Sequence, residues 1–274
     1  MRVLTSVAEL GADLADVVLL DVRWALGDPH GREHHRTGHL PGAVFVDLDA
    51  ELSAPPSPAQ GRHPLPSLQS LQAAARRWGL TDGARVVVYD AGPGTGAARA
   101  WWLLRWGGVS EVTILDGGLA AWVAAGGKLE RGDVVPPAGD VTLTGGGMPT
   151  LDIDEAAALP ARGGLLLDAR AGERFRGEVE PVDPRAGHVP GAVSAPATDL
   201  LQPDGTFGTA AVLTEHFARL GVRPGTPVGV YCGSGVFAAH EVAALAIAGV
   251  DAALWPGSWS QWSHDSARPV ATGS

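Results

Sequence analysis

The chain has 274 residues and a mass of 28.1 kDa, a length that suggests about two compact domains at roughly 150 residues each. Hydrophobic residues make up 45% and charged residues 18%, which excludes a disordered or low-complexity chain. Twenty basic against thirty acidic side chains leave a formal charge of −10, unfavourable for a nucleic-acid partner. The longest apolar stretch, residues 242–255, is broken by Asp251 and falls short of the roughly 20 residues that a membrane span needs. At the N-terminus Glu9 and Asp13 arrive before any apolar signal core can form, so a cytoplasmic protein is expected, with no membrane partner.

In chain order, the first landmark is Leu19-Leu20-Asp21-Val22-Arg23, a short apolar run closed by charge, followed by Gly38-His39-Leu40-Pro41-Gly42-Ala43-Val44. Residues 67–78 have helical period, and Val86-Val87-Val88-Tyr89 reads as a buried strand. That strand runs into Asp90 and a Gly-rich turn ahead of a helix carrying Trp101, Trp102 and Trp106, which read as packing residues. Gly117 to Trp122 follows, and then residues 126–150, with Pro136-Pro137 and three consecutive glycines from Gly145, have the composition of a connector.

Beyond the connector the same signals return in the same order. Leu166-Leu167-Asp168-Ala169-Arg170 repeats the first landmark, and Gly187-His188-Val189-Pro190-Gly191-Ala192-Val193 the second. Residues 210–220 have helical period, the strand at 227–231 ends in Tyr231, and Gly257 to Trp262 mirrors Gly117 to Trp122. Collinear matches with slowly drifting offsets indicate two copies of one domain: residues 1–130, a linker at 131–147, and residues 148–274. Strands alternating with helical segments make each copy an α/β domain with a mainly parallel sheet flanked by helices.

The two Gly-rich turns lie where open α/β sheets place their ligands. Asp90 occupies the first; the second holds Cys232, the sole cysteine, followed by Gly233-Ser234-Gly235-Val236-Phe237. A thiol there faces the N–H groups of the turn and the positive end of the next helix, both of which favour a thiolate nucleophile. With a single cysteine, an internal disulfide and a thiolate metal cluster are excluded. A phosphatase loop would carry arginine six positions after the cysteine, where Ala238 stands, so sulfur transfer is the chemistry that fits best. The turn at Gly92 to Ala97 also satisfies a dinucleotide fingerprint, but it aligns with the Cys232 turn and is read as its degenerate copy. His30, His34, His35 and His39, with Asp28 and Glu33, lack a common spacing and are read as a polar loop, so no metal and no other cofactor is expected.

The segment Cys232-Gly233-Ser234-Gly235-Val236, the two His-Xaa-Pro-Gly-Ala segments, Arg174-Phe175-Arg176-Gly177 and Gly257-Ser258-Trp259-Ser260-Gln261-Trp262 together resemble the tandem-domain rhodanese family, specifically its mercaptopyruvate sulfurtransferase branch. The resemblance implies two rhodanese-like domains, the first non-catalytic with Asp90 in place of cysteine. It implies that a sulfane sulfur moves from 3-mercaptopyruvate or thiosulfate to Cys232 as a persulfide, and then to cyanide, a thiol or thioredoxin. Ser234 with His39 and Asp28 would assist proton movement. Arg174 and Arg185 would bind the donor, together with Gly233, Gly235, Val236 and Phe237 of the loop. The chain departs from the family at Phe237, where a hydroxyl residue is usual, and in the spacing that leads to Arg185. Gly233 and Ser234 are neutral where thiosulfate-type loops are cationic, which favours mercaptopyruvate. The alternatives are a thiosulfate-preferring rhodanese and a noncatalytic sulfur-binding or sensing module.

Overall fold

A computed structural model describes residues 1–274. The chain divides into two compact units, the first formed by residues 1–54, 66–148 and 203–207, the second by residues 55–65, 149–202 and 208–274. Each unit is a parallel sheet flanked by helices, and no helix is long and apolar enough to cross a membrane.

The first unit holds β1 (Leu4–Thr5), β2 (Val18–Asp21), β3 (Val44–Phe45), β4 (Val86–Tyr89) and β5 (Val112–Leu115) in the order β1-β5-β4-β2-β3. The second holds β6 (Leu165–Asp168), β7 (Val193–Ser194), β8 (Val228–Tyr231) and β9 (Ala252–Leu254) in the order β7-β6-β8-β9. All pairings are parallel, and the central strands β4 and β8 are buried along their whole length. Their valine-rich runs follow from covering on both faces. The expected tryptophans of the first unit, Trp101 and Trp102, are fully buried in the helix Thr95–Trp106.

The repeated motifs turn out to be one tertiary device built twice. Asp21 ends β2 opposite Tyr89, and Asp168 ends β6 opposite Tyr231. Arg23 folds back onto Asp21 at 2.6 Å and donates to the Gly38 carbonyl at 2.9 Å. Arg170 reaches Asp168 and the Gly187 carbonyl, both at 2.7 Å. The Leu40 and Val189 N–H groups donate to the Tyr89 and Tyr231 hydroxyls at 3.1 and 3.2 Å. Burial opposes the charge on Arg170, but the adjacent Asp168 carboxylate outweighs it and holds the guanidinium more firmly protonated than usual. The strand end, its arginine and the His-Xaa-Pro-Gly turn are thereby locked together in each unit.

Two boundaries differ from the sequence reading. The stretch 131–147, expected as a linker, packs on the first unit: Gly139 N–H donates to the Arg76 carbonyl, Thr144 to Gly107 and Gly147 to Trp106, while Val141 and Leu143 are buried. Residues 55–65 and 203–207 each join the unit opposite to their place in the repeat. Composition alone marks neither event, because proline and glycine in a connector do not reveal whether its backbone finds partners.

Candidate active site

Cys232 follows β8 directly, and Gly235 caps the helix Val236–Ile247 in the left-handed region at φ 82°, a conformation glycine adopts without strain. This turn returns the Gly235 N–H to the Cys232 sulfur at 3.1 Å. Cys232 is 1% exposed, yet its immediate partners are polar. Its own N–H donates to the Ser258 hydroxyl at 3.2 Å, and its carbonyl accepts from the Trp259 N–H at 2.9 Å. The Gly233 carbonyl accepts from the Ser260 N–H at 2.8 Å. Ser258 is the one non-glycine residue with positive φ, at 53°, so local backbone strain accompanies the turn that backs the cysteine loop.

Residues 55–65 bring in the groups that the sequence reading missed. Gly61 sits at φ 90°, where an added Cβ would lie 2.6 Å from the Gly257 carbonyl oxygen, so only glycine permits this approach. The Arg62 N–H donates to the Ser260 hydroxyl at 3.0 Å, and Gln261 donates to the Ala59 carbonyl at 2.8 Å. Thus docked, His63 places Nδ1 2.7 Å from the Ser234 hydroxyl, with both side chains buried. A hydroxyl and an imidazole in contact two residues from a thiol form a unit able to move a proton.

Around them runs a chain of charge. Arg174, on the helix Gly172–Phe175, binds Glu180 through Nε at 3.2 Å and through Nη2 at 2.5 Å, and Asp183 at 3.2 Å. Glu180 also accepts from the Val182 and Asp183 N–H groups at 3.1 and 3.0 Å and pairs with Arg170 at 3.4 Å. Asp183 binds Arg62 at 2.7 Å. Both guanidinium groups converge on the loop, since a methyl on Gly233 would lie 3.2 Å from Arg62 Nη2 and 3.6 Å from Arg174 Nη1.

Of the residues expected at the site, the structure gathers Cys232, Gly233, Ser234, Gly235 and Arg174 in the second unit, with Val236 buried and Phe237 partly exposed at the start of the following helix. His39 and Asp28 find other partners. His39 is buried in the first unit, donates Nδ1–H to the Leu40 carbonyl at 2.9 Å and stacks on His35 at 4.0 Å between ring centroids. Its repeat mate His188 stacks on Phe175 at 3.7 Å, so the pair belongs to the shared framework. Asp28 accepts from the His30 N–H at 2.9 Å and pairs with His34 at 3.0 Å, as a loop residue. Arg185 directs four N–H bonds to the carbonyls of Trp262, Ser263, Asp265 and Arg268 at 2.6–2.8 Å, which leaves at most one of its five donors for a ligand.

In the first unit Asp90 fills the corresponding cradle itself. Its two oxygens accept from the Gly92, Gly94, Gly96 and Ala97 N–H groups at 2.9–3.2 Å. Burial pushes this carboxyl up, against the pull of the four amides.

Compared with known proteins, the chain matches the rhodanese-like domain model over residues 6–125 and 152–265. It is 51% identical over 281 residues to the putative thiosulfate sulfurtransferase SseB of Mycobacterium tuberculosis, with 99% of this chain and 98% of that protein covered. It is 48% identical to a probable 3-mercaptopyruvate sulfurtransferase of Pseudomonas aeruginosa, with 98% of each covered. Among solved structures, SseA of Escherichia coli, a 3-mercaptopyruvate sulfotransferase by description, superposes with a TM-score of 0.84 at 34% identity, over 94% of this chain and 99% of that one.

Proposed function

The chain belongs to the rhodanese family, and we propose that it is a sulfurtransferase that carries a sulfane sulfur as a persulfide on Cys232, taking it from 3-mercaptopyruvate in preference to thiosulfate. The observation that carries this reading is the Cys232 turn, in which sulfur, inward-facing amide and the buried Ser234–His63 pair adjoin. The Cys232 thiolate attacks the donor sulfur, forming the S–S bond as the donor's C–S bond breaks. The proton that leaves the donor thiol ends on the methylene carbon, giving pyruvate and the persulfide anion. Cyanide then removes the outer sulfur as thiocyanate and returns the thiolate; a small thiol or thioredoxin serves as the alternative acceptor.

Donor preference follows from which donor needs a proton moved. Thiosulfate gives up its outer sulfur and leaves as sulfite without any proton transfer, so the buried Ser234–His63 contact has chemistry to perform only with mercaptopyruvate. The neutral pair Gly233–Ser234 also offers a dianion no cation within the loop. The test is the intact mass after exposure to each donor. A gain of one sulfur on the wild type, absent in Cys232→Ser with the fold retained, is the expected result. A wild type that gains none identifies a noncatalytic module, and faster thiocyanate formation from thiosulfate reverses the donor assignment.

A further inference from the structure

We infer that Arg62 is the second cation that binds the donor's anionic end, the part the sequence assigned to Arg185; this rests on the reading of Cys232 as the acceptor of the donor's sulfur. A donor whose sulfur meets Cys232 projects its remaining atoms over the neighbouring backbone. Above Gly233 the structure places Arg62 Nη2 and Arg174 Nη1, at 3.2 and 3.6 Å from where a side chain would begin. Both guanidinium groups therefore border the backbone of the loop at contact distance.

The two arginines are held as a pair. Asp183, whose side chain is fully buried, receives Arg62 Nη1 on one oxygen at 2.7 Å, while its other oxygen accepts Arg174 Nη2 at 3.2 Å and, at the longer distance of 3.5 Å, Arg62 Nη2. A carboxylate shared in this way fixes the separation of two forks while leaving each with unused N–H groups, the arrangement suited to a second, exchangeable carboxylate. Arg174 Nη1 donates to neither acid, and Arg62 Nε is buried without a partner. Arg62 and Arg174 keep 25% and 18% side-chain exposure, so a small anion can reach them. Arg185, by contrast, is committed to four main-chain carbonyls.

Position in the chain adds a functional consequence. Arg62 precedes His63, and its backbone is fixed by Ser260, so one short segment supplies both the anion contact and the imidazole that meets Ser234. Binding the donor's carboxylate at Arg62 therefore orders the same segment that positions the proton-moving pair.

The chain's sole cysteine permits a charge-reading experiment that does not depend on sulfur transfer. Cys232 is alkylated with iodoacetate, which carries a carboxylate, and with neutral iodoacetamide, in wild type, Arg62→Met and Arg62→Lys. The iodoacetate-to-iodoacetamide rate ratio is expected to fall about tenfold in Arg62→Met, the effect of one charge-assisted hydrogen bond, and to stay within about threefold of wild type in Arg62→Lys. The KM for mercaptopyruvate is expected to rise by a similar factor of about ten with kcat less affected, the signature of lost ground-state binding. A ratio unchanged in folded Arg62→Met overturns the assignment, as does equal slowing with both reagents, which marks a structural role. Should Arg62→Met not fold, Arg62→Gln is read in the same way. A wild type that alkylates with charge preference yet never acquires sulfur refutes the sulfurtransferase reading and leaves the role of Arg62 decided by the ratio.

Discussion

Replacing Arg185 by methionine separates a donor ligand from a clamp. The guanidinium donates to the carbonyls of Trp262, Asp265, Ser263 and Arg268 at 2.7, 2.6, 2.8 and 2.8 Å, and the Arg185 carbonyl accepts from the Trp259 indole at 2.9 Å. These bonds hold the turn after the helix Ser258–Trp262, whose Trp259 N–H in turn binds the Cys232 carbonyl. A hydrogen bond from a charged group contributes about 1.5–3 kcal/mol, but these carbonyls are only partly shielded and water replaces much of the loss. We therefore expect a net cost of about 2–4 kcal/mol, and at about 2–4 °C per kcal/mol for a domain of this size a Tm lowered by roughly 4–16 °C. Thermal unfolding followed by circular dichroism, together with donor KM measured well below the transition, gives both readouts. A fall in Tm with KM nearly unchanged supports the clamp. An unchanged Tm with KM raised about tenfold would refute the reasoning and restore Arg185 to the donor site.

Two further outcomes follow from buried groups. His63→Ala and Ser234→Ala are each expected to slow sulfur transfer from mercaptopyruvate by about a hundredfold, with the double variant no slower than either alone, because the pair at 2.7 Å acts as one unit; transfer from thiosulfate should change little, and strictly additive losses would disprove the coupling. Glu241 lies fully buried with no partner for either oxygen, and burial, aided by Asp168, pushes its carboxyl well above the ordinary range. Once pH passes the unfolded carboxyl's titration, the folded state binds a proton that the unfolded state has released, so stability falls with rising pH by up to about 1.4 kcal/mol per unit until the folded group ionises. Glu241→Gln should abolish that slope in urea unfolding measured between about pH 4 and pH 8, and parallel curves for the two proteins would contradict the burial argument.

The duplication was legible because the residues that repeat are those that every copy of the fold needs. Asp21, Arg23 and Tyr89 lock a strand end to a turn, and Asp168, Arg170 and Tyr231 do it again, so their spacing in sequence records tertiary structure. The same logic explains why His39 recurs as His188. A residue present in both copies, one of which has no cysteine, serves the framework, and its stacking on His35 is such a service. Arg62 and His63 escaped notice for the opposite reason: their segment has neither periodicity nor a match in the repeat, and it joins the second unit through long-range contacts, such as Gly61 against Gly257 and Arg62 against Asp183, that no local pattern encodes. Cys232 and its glycines were readable because a thiol and a φ requirement are both written in residue type.

Comparison of the two turns supports the role proposed for the second. From each backbone, Asp90 presents Cβ, Cγ and then oxygen, whereas Cys232 presents Cβ and then sulfur. In the proposed persulfide the outer sulfur therefore stands at the same bond count as the Asp90 oxygens. With Gly94 and Gly235 as equivalent caps, at φ 85° and 82°, the amides of Gly96 and Ala97 that hold the Asp90 carboxylate correspond to those of Phe237 and Ala238. On that correspondence the Phe237 main-chain N–H is the amide proposed to meet the outer sulfur, a contact that does not depend on its side chain. The first cradle cannot be emptied, because its anion is covalently part of it. In the second the Gly235 N–H holds Sγ, and an anion one atom further out is supplied only by the proposed persulfide, which leaves with each acceptor.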